Sequence, residues 1–226
     1  QITVYINSSG EMLNRRGYRD PRAKAPLNEV LAAGMIKLAG WNAEQPFIDP
    51  MCGTGTLPIE AAMMARNIPP AIKRKEFGFM KWLDFEPELW EEISKEATEK
   101  IEHPRLHILA SDVAAKAMDF AKIASINAGV NRDVRMKRMA LEHARPAKEG
   151  GVAIINPPYG ERMQKNDIDA FYKSIGDSLK KNFSGSQAWI LSANKQALKH
   201  IGLRTSKKLT LFNGPLECKF HRYDLY

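Results

Sequence analysis

Short apolar runs of strand length alternate with longer runs whose apolar residues recur at helical spacing along most of the 226 residues. A chain patterned this way is confined to doubly wound α/β architectures, because each parallel strand needs a crossover before the next strand can join the sheet. Residues 4–6 read as a short strand. Pro26 stands where a first helical turn tolerates it, and Leu27, Val30, Leu31, Met35 and Leu38 then keep helical spacing up to Gly40. Phe47 and Ile48 form a strand that stops at Asp49, and a glycine-containing turn opens a helix over 57–66. A strand over 106–110 ends at Asp112. The helix after it carries Val113, Ala117, Phe120, Ala121 and Ala124 on one face up to Gly129. Further strands are expected over 134–139, 152–155 and 188–191, with helices over 167–183 and 195–201. The closing runs, 208–212 and 216–223, flank Asn213-Gly214-Pro215, a turn so short that they must pair antiparallel. The predicted architecture is therefore a doubly wound, mostly parallel sheet ending in an antiparallel hairpin, with its ligand beyond the carboxyl ends of the strands.

The pattern divides into an N-terminal stretch, 1–45, and a core, 46–226, interrupted over 67–105 by prolines, a basic cluster, aromatics and one helix beginning near Pro87. That interruption reads as an insertion packed on one compact domain. Apolar runs such as 31–36 fall far short of the ~18 residues of a membrane span, and no basic-then-apolar leader opens the chain. Cys52 and Cys218 make neither a disulfide framework nor a CxxC zinc spacing. A cytoplasmic protein without a metal is the expectation, and Gln1 in place of Met reads as a piece of a longer chain. The 34 Lys and Arg exceed the 26 Asp and Glu, a formal net charge of +8. The excess is clustered at Arg15 to Lys24, at 73–75 and at 132–138, which favours a polyanion over an evenly solvated surface.

Three strand ends carry chemistry. Asp49-Pro50-Met51-Cys52-Gly53-Thr54-Gly55-Thr56 lies at a strand-to-helix turn, where two glycines let a ligand approach the backbone. It lacks the Gly-Lys-Ser/Thr of a P-loop, and Pro58 replaces the third glycine of the dinucleotide fingerprint. Asp112 ends the next strand, where a carboxylate either accepts from both hydroxyls of a ribose or begins the following helix. Asn156-Pro157-Pro158-Tyr159 follows an apolar strand, and the two prolines hold the strand end as a stiff extended spur. Such a spur presents a side-chain amide oxygen and a backbone carbonyl as two fixed acceptors for an aromatic amino group, with Tyr159 as a stacking face. A bare Pro-Pro turn with a buried Tyr is the plain alternative. The five histidines fall in no catalytic spacing, Cys52 reads as a packing residue, and Met63 and Met64 read as core.

In this order the three motifs resemble the class I S-adenosylmethionine-dependent amino-group methyltransferases. More narrowly, Asn14-Arg15-Arg16-Gly17-Tyr18-Arg19, Ala25-Pro26-Leu27, the turn 49–56, Arg66-Asn67-Ile68, the run 156–162 and the run 213–218 resemble the THUMP-associated RNA guanine-N2 methyltransferases, of which bacterial members act on 23S ribosomal RNA. The resemblance implies a Rossmann-like methyltransferase domain, doubly wound on a mostly parallel seven-stranded sheet that ends in an antiparallel hairpin, without its N-terminal THUMP domain. It implies S-adenosylmethionine held by Asp49, Met51, Cys52, Gly53, Thr54, Gly55, Thr56, Asp112 and Val113, with Met139 and Ala140 at the adenine, where relatives often carry an acid. Asn156, Pro157, Pro158 and Tyr159 would be catalytic, Asn156 reaching both cofactor and guanine, and Arg15, Arg16, Tyr18, Arg19 and Arg162 would touch RNA. Two other readings compete: an amino-group methyltransferase acting on tRNA guanine, DNA adenine or a protein glutamine, and an RNA-binding module that keeps the fold without catalysis.

Overall fold

The computed structural model describes residues 2–23, 27–148, 150–158 and 165–226. Pro26, Tyr159 and Arg162 lie outside them. Five strands, β1 (Phe47–Asp49), β2 (Ile108–Asp112), β3 (Val134–Arg138), β4 (Val152–Ile155) and β5 (Gln187–Ser192), pair in parallel, and β6 (Thr205–Asn213) and β7 (Leu216–Asp224) close the sheet as a hairpin. The order is β3-β2-β1-β4-β5-β7-β6, with β7 antiparallel between β5 and β6. The seven strands and the closing hairpin match the sequence reading. All four β4 residues are fully buried, as expected of an apolar run covered on both faces.

Helices α1 (Glu29–Ala39), α2 (Thr56–Ala65) and α4 (Ala115–Ala128) pack together, α2 against both of the others, and their apolar sides meet Phe47, Ile108, Ala110, Val134 and Ile154 from one face of the sheet. The opposite face is covered by α5 (Lys165–Asn182) and the 3₁₀ turn Ala197–Ile201, which enclose Ile48, Ala153, Ile155 and Ile190. The remaining helix, α3 (Pro87–Glu99), belongs to the insertion, and none of its residues is buried. Gly176 allows α5 and the turn to touch, since a β-carbon there would lie 1.7 Å from the Ile201 carbonyl oxygen. Gly40 and Gly129 end α1 and α4 in the left-handed conformation, as the spacing predicts.

Local expectations needed correction in four places. Residues 2–6 are exposed and form no strand, because β-propensity does not hold an extended segment without a sheet edge to supply hydrogen bonds. The helix expected at 195–201 is a 3₁₀ turn, started by the Asn194 side chain accepting from the Gln196 and Ala197 amides and stopped at Gly202. In α1, Val30 and Leu38 face solvent and the buried stripe is Ala32, Met35, Ile36 and Ala39, the side that packs into the core where α1 meets α2. Val113 precedes α4 and is exposed, so that helix turns Met118, Ala121, Ala124 and Ala128 inward.

The insertion packs on the N-terminal segment. The Phe79 amide donates to the Ser8 carbonyl at 2.9 Å, and Arg74 donates to the carbonyls of Ser9 and Glu11 at 2.6 and 2.8 Å. Phe77, Phe79, Phe85 and Trp90 form its aromatic cluster, with ring centroids 5.2–5.9 Å apart. Among the described residues no helix is long and apolar enough to cross a membrane, and no group of three His, Cys, Asp or Glu could hold a metal ion.

Candidate active site

The carboxyl ends of β1, β2 and β4 bring the first two motifs and the start of the third together. Between β1 and α2 the chain turns on a Cys52 carbonyl that accepts from the Gly55 amide at 2.8 Å. Gly53 and Gly55 both adopt positive φ, +52° and +83°, and Gly55 caps α2. The two glycines serve different ends. A β-carbon on Gly55 would lie 3.1 Å from that of Ala121, so this glycine lets α2 approach α4; one on Gly53 would meet nothing within 4 Å and would project into free space above the turn.

A cleft of about 90 Å³ opens over this turn, lined by Asp49, Met51, Cys52, Gly53, Thr54 and Thr56, with Asn156 across from them and Leu27 and Leu57 at its sides. Asp49 is buried, and its Oδ1 accepts from the Met51 amide at 3.2 Å. Burial pushes its carboxyl well above the usual range, the Met51 amide opposes that, and neighbouring Asp112 adds to it. The Cys52 thiol is likewise raised by burial and then by the two carboxylates, and it packs 3.7 Å from the Met118 sulfur, which makes it a poor nucleophile.

Asp112 connects two loops, accepting from the Gly53 amide at 3.0 Å through Oδ2 and from the Ala114 amide at 2.9 Å through Oδ1. An ionised carboxylate has about four lone-pair sites, so this arrangement leaves acceptor capacity for a ligand. The Asn156 side-chain oxygen is buried with no hydrogen-bond partner among the described residues. An acceptor in that condition costs about 1–3 kcal/mol and marks a place where a donor belongs. Pro157 is buried and Pro158 exposed beside it.

Other expected site residues lie elsewhere. Val113 is exposed outside the cleft. Met139 and Ala140 follow β3, and the Met139 amide already donates to the Asp112 carbonyl at 3.1 Å, which leaves Ala140 to offer a backbone contact at that edge. Tyr18, Arg16 and Arg19 turn inward instead of meeting solvent. The Tyr18 hydroxyl donates to Glu60 Oε1 at 3.0 Å, and Arg16 Nε lies 3.5 Å from the same oxygen. Arg19 pairs with Glu29 at 3.0 Å, donates to Thr56 Oγ1 at 3.0 Å and also holds the Leu27 carbonyl. Arg15 stays exposed, with a loose 3.9 Å pair to Glu11. Burial raises the Glu60 carboxyl, and Arg16 and Tyr18 pull it back. Of the histidines, none lines the cleft; His103 meets Arg66 at 2.8 Å and His200 lies 3.4 Å from Asp169.

Sequence reasoning missed Leu27 as part of the cleft lining, and Glu29 and Glu60 as the acids that draw Arg19, Arg16 and Tyr18 inward. A signal existed for Glu60, the one charged residue in an otherwise apolar helix, since a buried acid in such a setting needs a cation or donor.

The RMKL-like methyltransferase domain family matches residues 16–222. The ribosomal RNA large subunit methyltransferase K/L of Shewanella loihica is 38% identical over the whole of this chain and 33% of its own length. The protein of the same name from Vibrio campbellii is 39% identical over 97% of this chain and 32% of its own. Among solved structures, SMU.472 in complex with SAH superposes with a TM-score of 0.90 at 31% identity, covering 97% of this chain and 57% of that one. The chain thus spans about a third of the length of these two relatives.

Proposed function

Since the chain belongs to the RMKL-like methyltransferase domain family, we propose that it transfers a methyl group from S-adenosylmethionine to the exocyclic N2 amino group of a guanine in RNA, with 23S ribosomal RNA as the substrate. The observation that carries this reading is Asn156. Its side-chain oxygen is buried without a partner among the described residues, in the same cleft as the glycine turn. The fit to the cofactor rests on three further features of the cleft. Gly53 leaves free space above the turn, Asp49 is a buried acid that a cationic amino group would stabilise, and Asp112 retains acceptor capacity at the end of β2.

The residues that would hold the group are therefore Asp49, Met51 to Thr56 and Asp112, with the Ala140 backbone at its far end. When bound, it supplies an electrophilic methyl on a positively charged sulfur. The chain's own part is to bind and aim the acceptor. Asn156 Oδ1 and the Pro157 carbonyl accept from the guanine amino group, which localises a lone pair otherwise delocalised into the ring and points it along the transfer line. Positioning of this kind replaces a strong general base, in keeping with a cleft that holds no histidine. A stacked guanine cannot reach the spur, so the target base is unpaired or flipped out, with Tyr159 as its stacking partner. Arg15 and Arg162 contact backbone phosphates, and a THUMP domain elsewhere in the full-length protein shares the RNA. The work is cytoplasmic, where ribosomal RNA is matured.

Nucleoside mass spectrometry of ribosomal and transfer RNA tests the proposal, using cells that lack the full-length protein, complemented with wild type or with Asn156→Ala. One N2-methylguanosine should vanish in the deletion and return with wild type alone. Unchanged RNA methylation would sink the guanine reading and turn attention to DNA or protein acceptors.

A further inference from the structure

The connection from β3 to β4 differs from the other crossovers. β2 reaches β3 through α4 and β4 reaches β5 through α5, but between Arg138 and Val152 the described residues form only the 3₁₀ turn Leu141–His143. The face of β2 and β3 opposite α4 is therefore left without a helix, and a groove of about 620 Å³ runs along it. Arg135 and Lys137, two residues apart on β3, project onto this face together, as the alternation of a strand requires, and both are exposed. Arg132 stands at one end, and Arg145 lies on the opposite wall, held by the carbonyls of Glu142 and Ala144 at 3.0 and 2.8 Å. The acid among the lining residues, Asp133, is already paired with Arg66 at 3.0 Å. The floor is apolar, with Leu109 and Met139. Met139 is also where the groove reaches the carboxyl ends of the strands, its amide bonded to the Asp112 carbonyl.

We propose that this groove is a docking track for single-stranded RNA, its four cations holding successive phosphates while ribose and base edges rest on the apolar floor. The inference rests on the RNA reading above and names a surface for it on the methyltransferase domain itself. A protein partner is the weaker match, because the centre of a protein–protein interface is poor in charge, whereas cations along an apolar groove are what tracking a nucleic-acid backbone needs. The groove also explains the basic run at 132–138, which the cleft does not use.

The test measures binding of a fluorescent single-stranded oligouridylate to the full-length protein by anisotropy across a salt series. The Arg135→Glu/Lys137→Glu pair is compared with Lys207→Glu/Lys208→Glu, a matched charge reversal on β6 at the far edge of the sheet. The groove pair should bind at least about tenfold more weakly, with the slope of log K against log salt shallower by about 1.4, two phosphate contacts' worth on a single strand. The β6 pair should lose less than about twofold, on the view that steering by net charge is non-specific. The milder Arg135→Gln/Lys137→Gln pair should show a smaller loss of the same sign, and SAH affinity should be unchanged throughout. Equal losses in both reversed pairs, wild-type RNA affinity in the groove pair, or a parallel loss of SAH binding would each overturn the proposal. Wild type that binds RNA beside a groove pair that binds it equally refutes the groove alone, and wild type that neither binds nor methylates RNA refutes the RNA reading as well.

Discussion

The two glycines of the β1–α2 turn should fail in opposite ways when each is replaced by alanine. At both positions the left-handed backbone costs an alanine about 1 kcal/mol. At Gly55 the new β-carbon also lies 3.1 Å from that of Ala121, between two helices that cannot part cheaply, which adds about 2 kcal/mol of overpacking. The φ of +83° at Gly55 is also further from the left-handed optimum than the +52° at Gly53. Gly55→Ala should therefore cost about 3 kcal/mol and Gly53→Ala about 1 kcal/mol. For a domain of this size that means about 9 °C and about 3 °C of Tm. Binding should show the reverse order. The Gly53 β-carbon points into the free space where the ligand would lie, so Gly53→Ala should weaken SAH at least about tenfold, equivalent to 1.4 kcal/mol. Gly55→Ala, titrated well below its Tm, should weaken SAH by less. Thermal unfolding without ligand and isothermal titration with SAH read the two effects separately. The reasoning fails if Gly53→Ala destabilises as much as Gly55→Ala, or if it binds SAH like wild type.

Three further substitutions probe the surroundings of the cleft. Gly176→Ala puts a β-carbon 1.7 Å from the Ile201 backbone oxygen, which no side-chain rotation can move away, and should cost about 3 kcal/mol in urea unfolding; a loss under about 1 kcal/mol would mean that α5 and its turn shift apart easily. Arg19→Met strands Glu29 and should cost about 3 kcal/mol, part of which Glu29→Gln should restore in the double variant; additive losses would show that the pair is not what matters. Asp49→Asn should be more stable than wild type without ligand, and increasingly so as pH rises. The folded-state pKa of Asp49 lies above the unfolded value near 4, so wild type has its full stability below that value and loses it as pH climbs toward the raised one. A Tm difference that stays constant or narrows between pH 4 and pH 8 would contradict this sign.

What could be read from the sequence was whatever is encoded locally. The parallel strands announce themselves as apolar runs stopped by Asp49, Asp112 and Asn156, and the hairpin through its short Gly214-Pro215 turn, because burial and turn chemistry act over a few neighbours. Residues 4–6 misled because their β-branched and aromatic side chains look like a strand, and pairing depends on what lies beside them in space. The same limit explains Arg16, Tyr18 and Arg19. A basic run resembles a surface for phosphates until the fold brings Glu60 from α2 and Glu29 from α1 against it, 42 and 10 positions along the chain from Tyr18 and Arg19 respectively. The basic groove was visible only in part, since the charges stand in the sequence while the missing crossover helix is a property of how the sheet is covered.

The position of β7 fixes the order in which the molecule can be completed. It is the last strand of this sheet in chain order yet lies inside the sheet, bonded to β5 on one side and carrying β6 on the other. Until residue 224 has been made, β5 is an open edge and Trp189 lacks the Phe220 ring that stacks on it at 4.6 Å. The nascent domain thus exposes an apolar strand edge, the kind of surface that aggregates or recruits chaperones, for the whole time it takes to synthesise β6 and β7. Without β7 the sheet would lose two strands and not one, because β6 has only β7 to hold it in place.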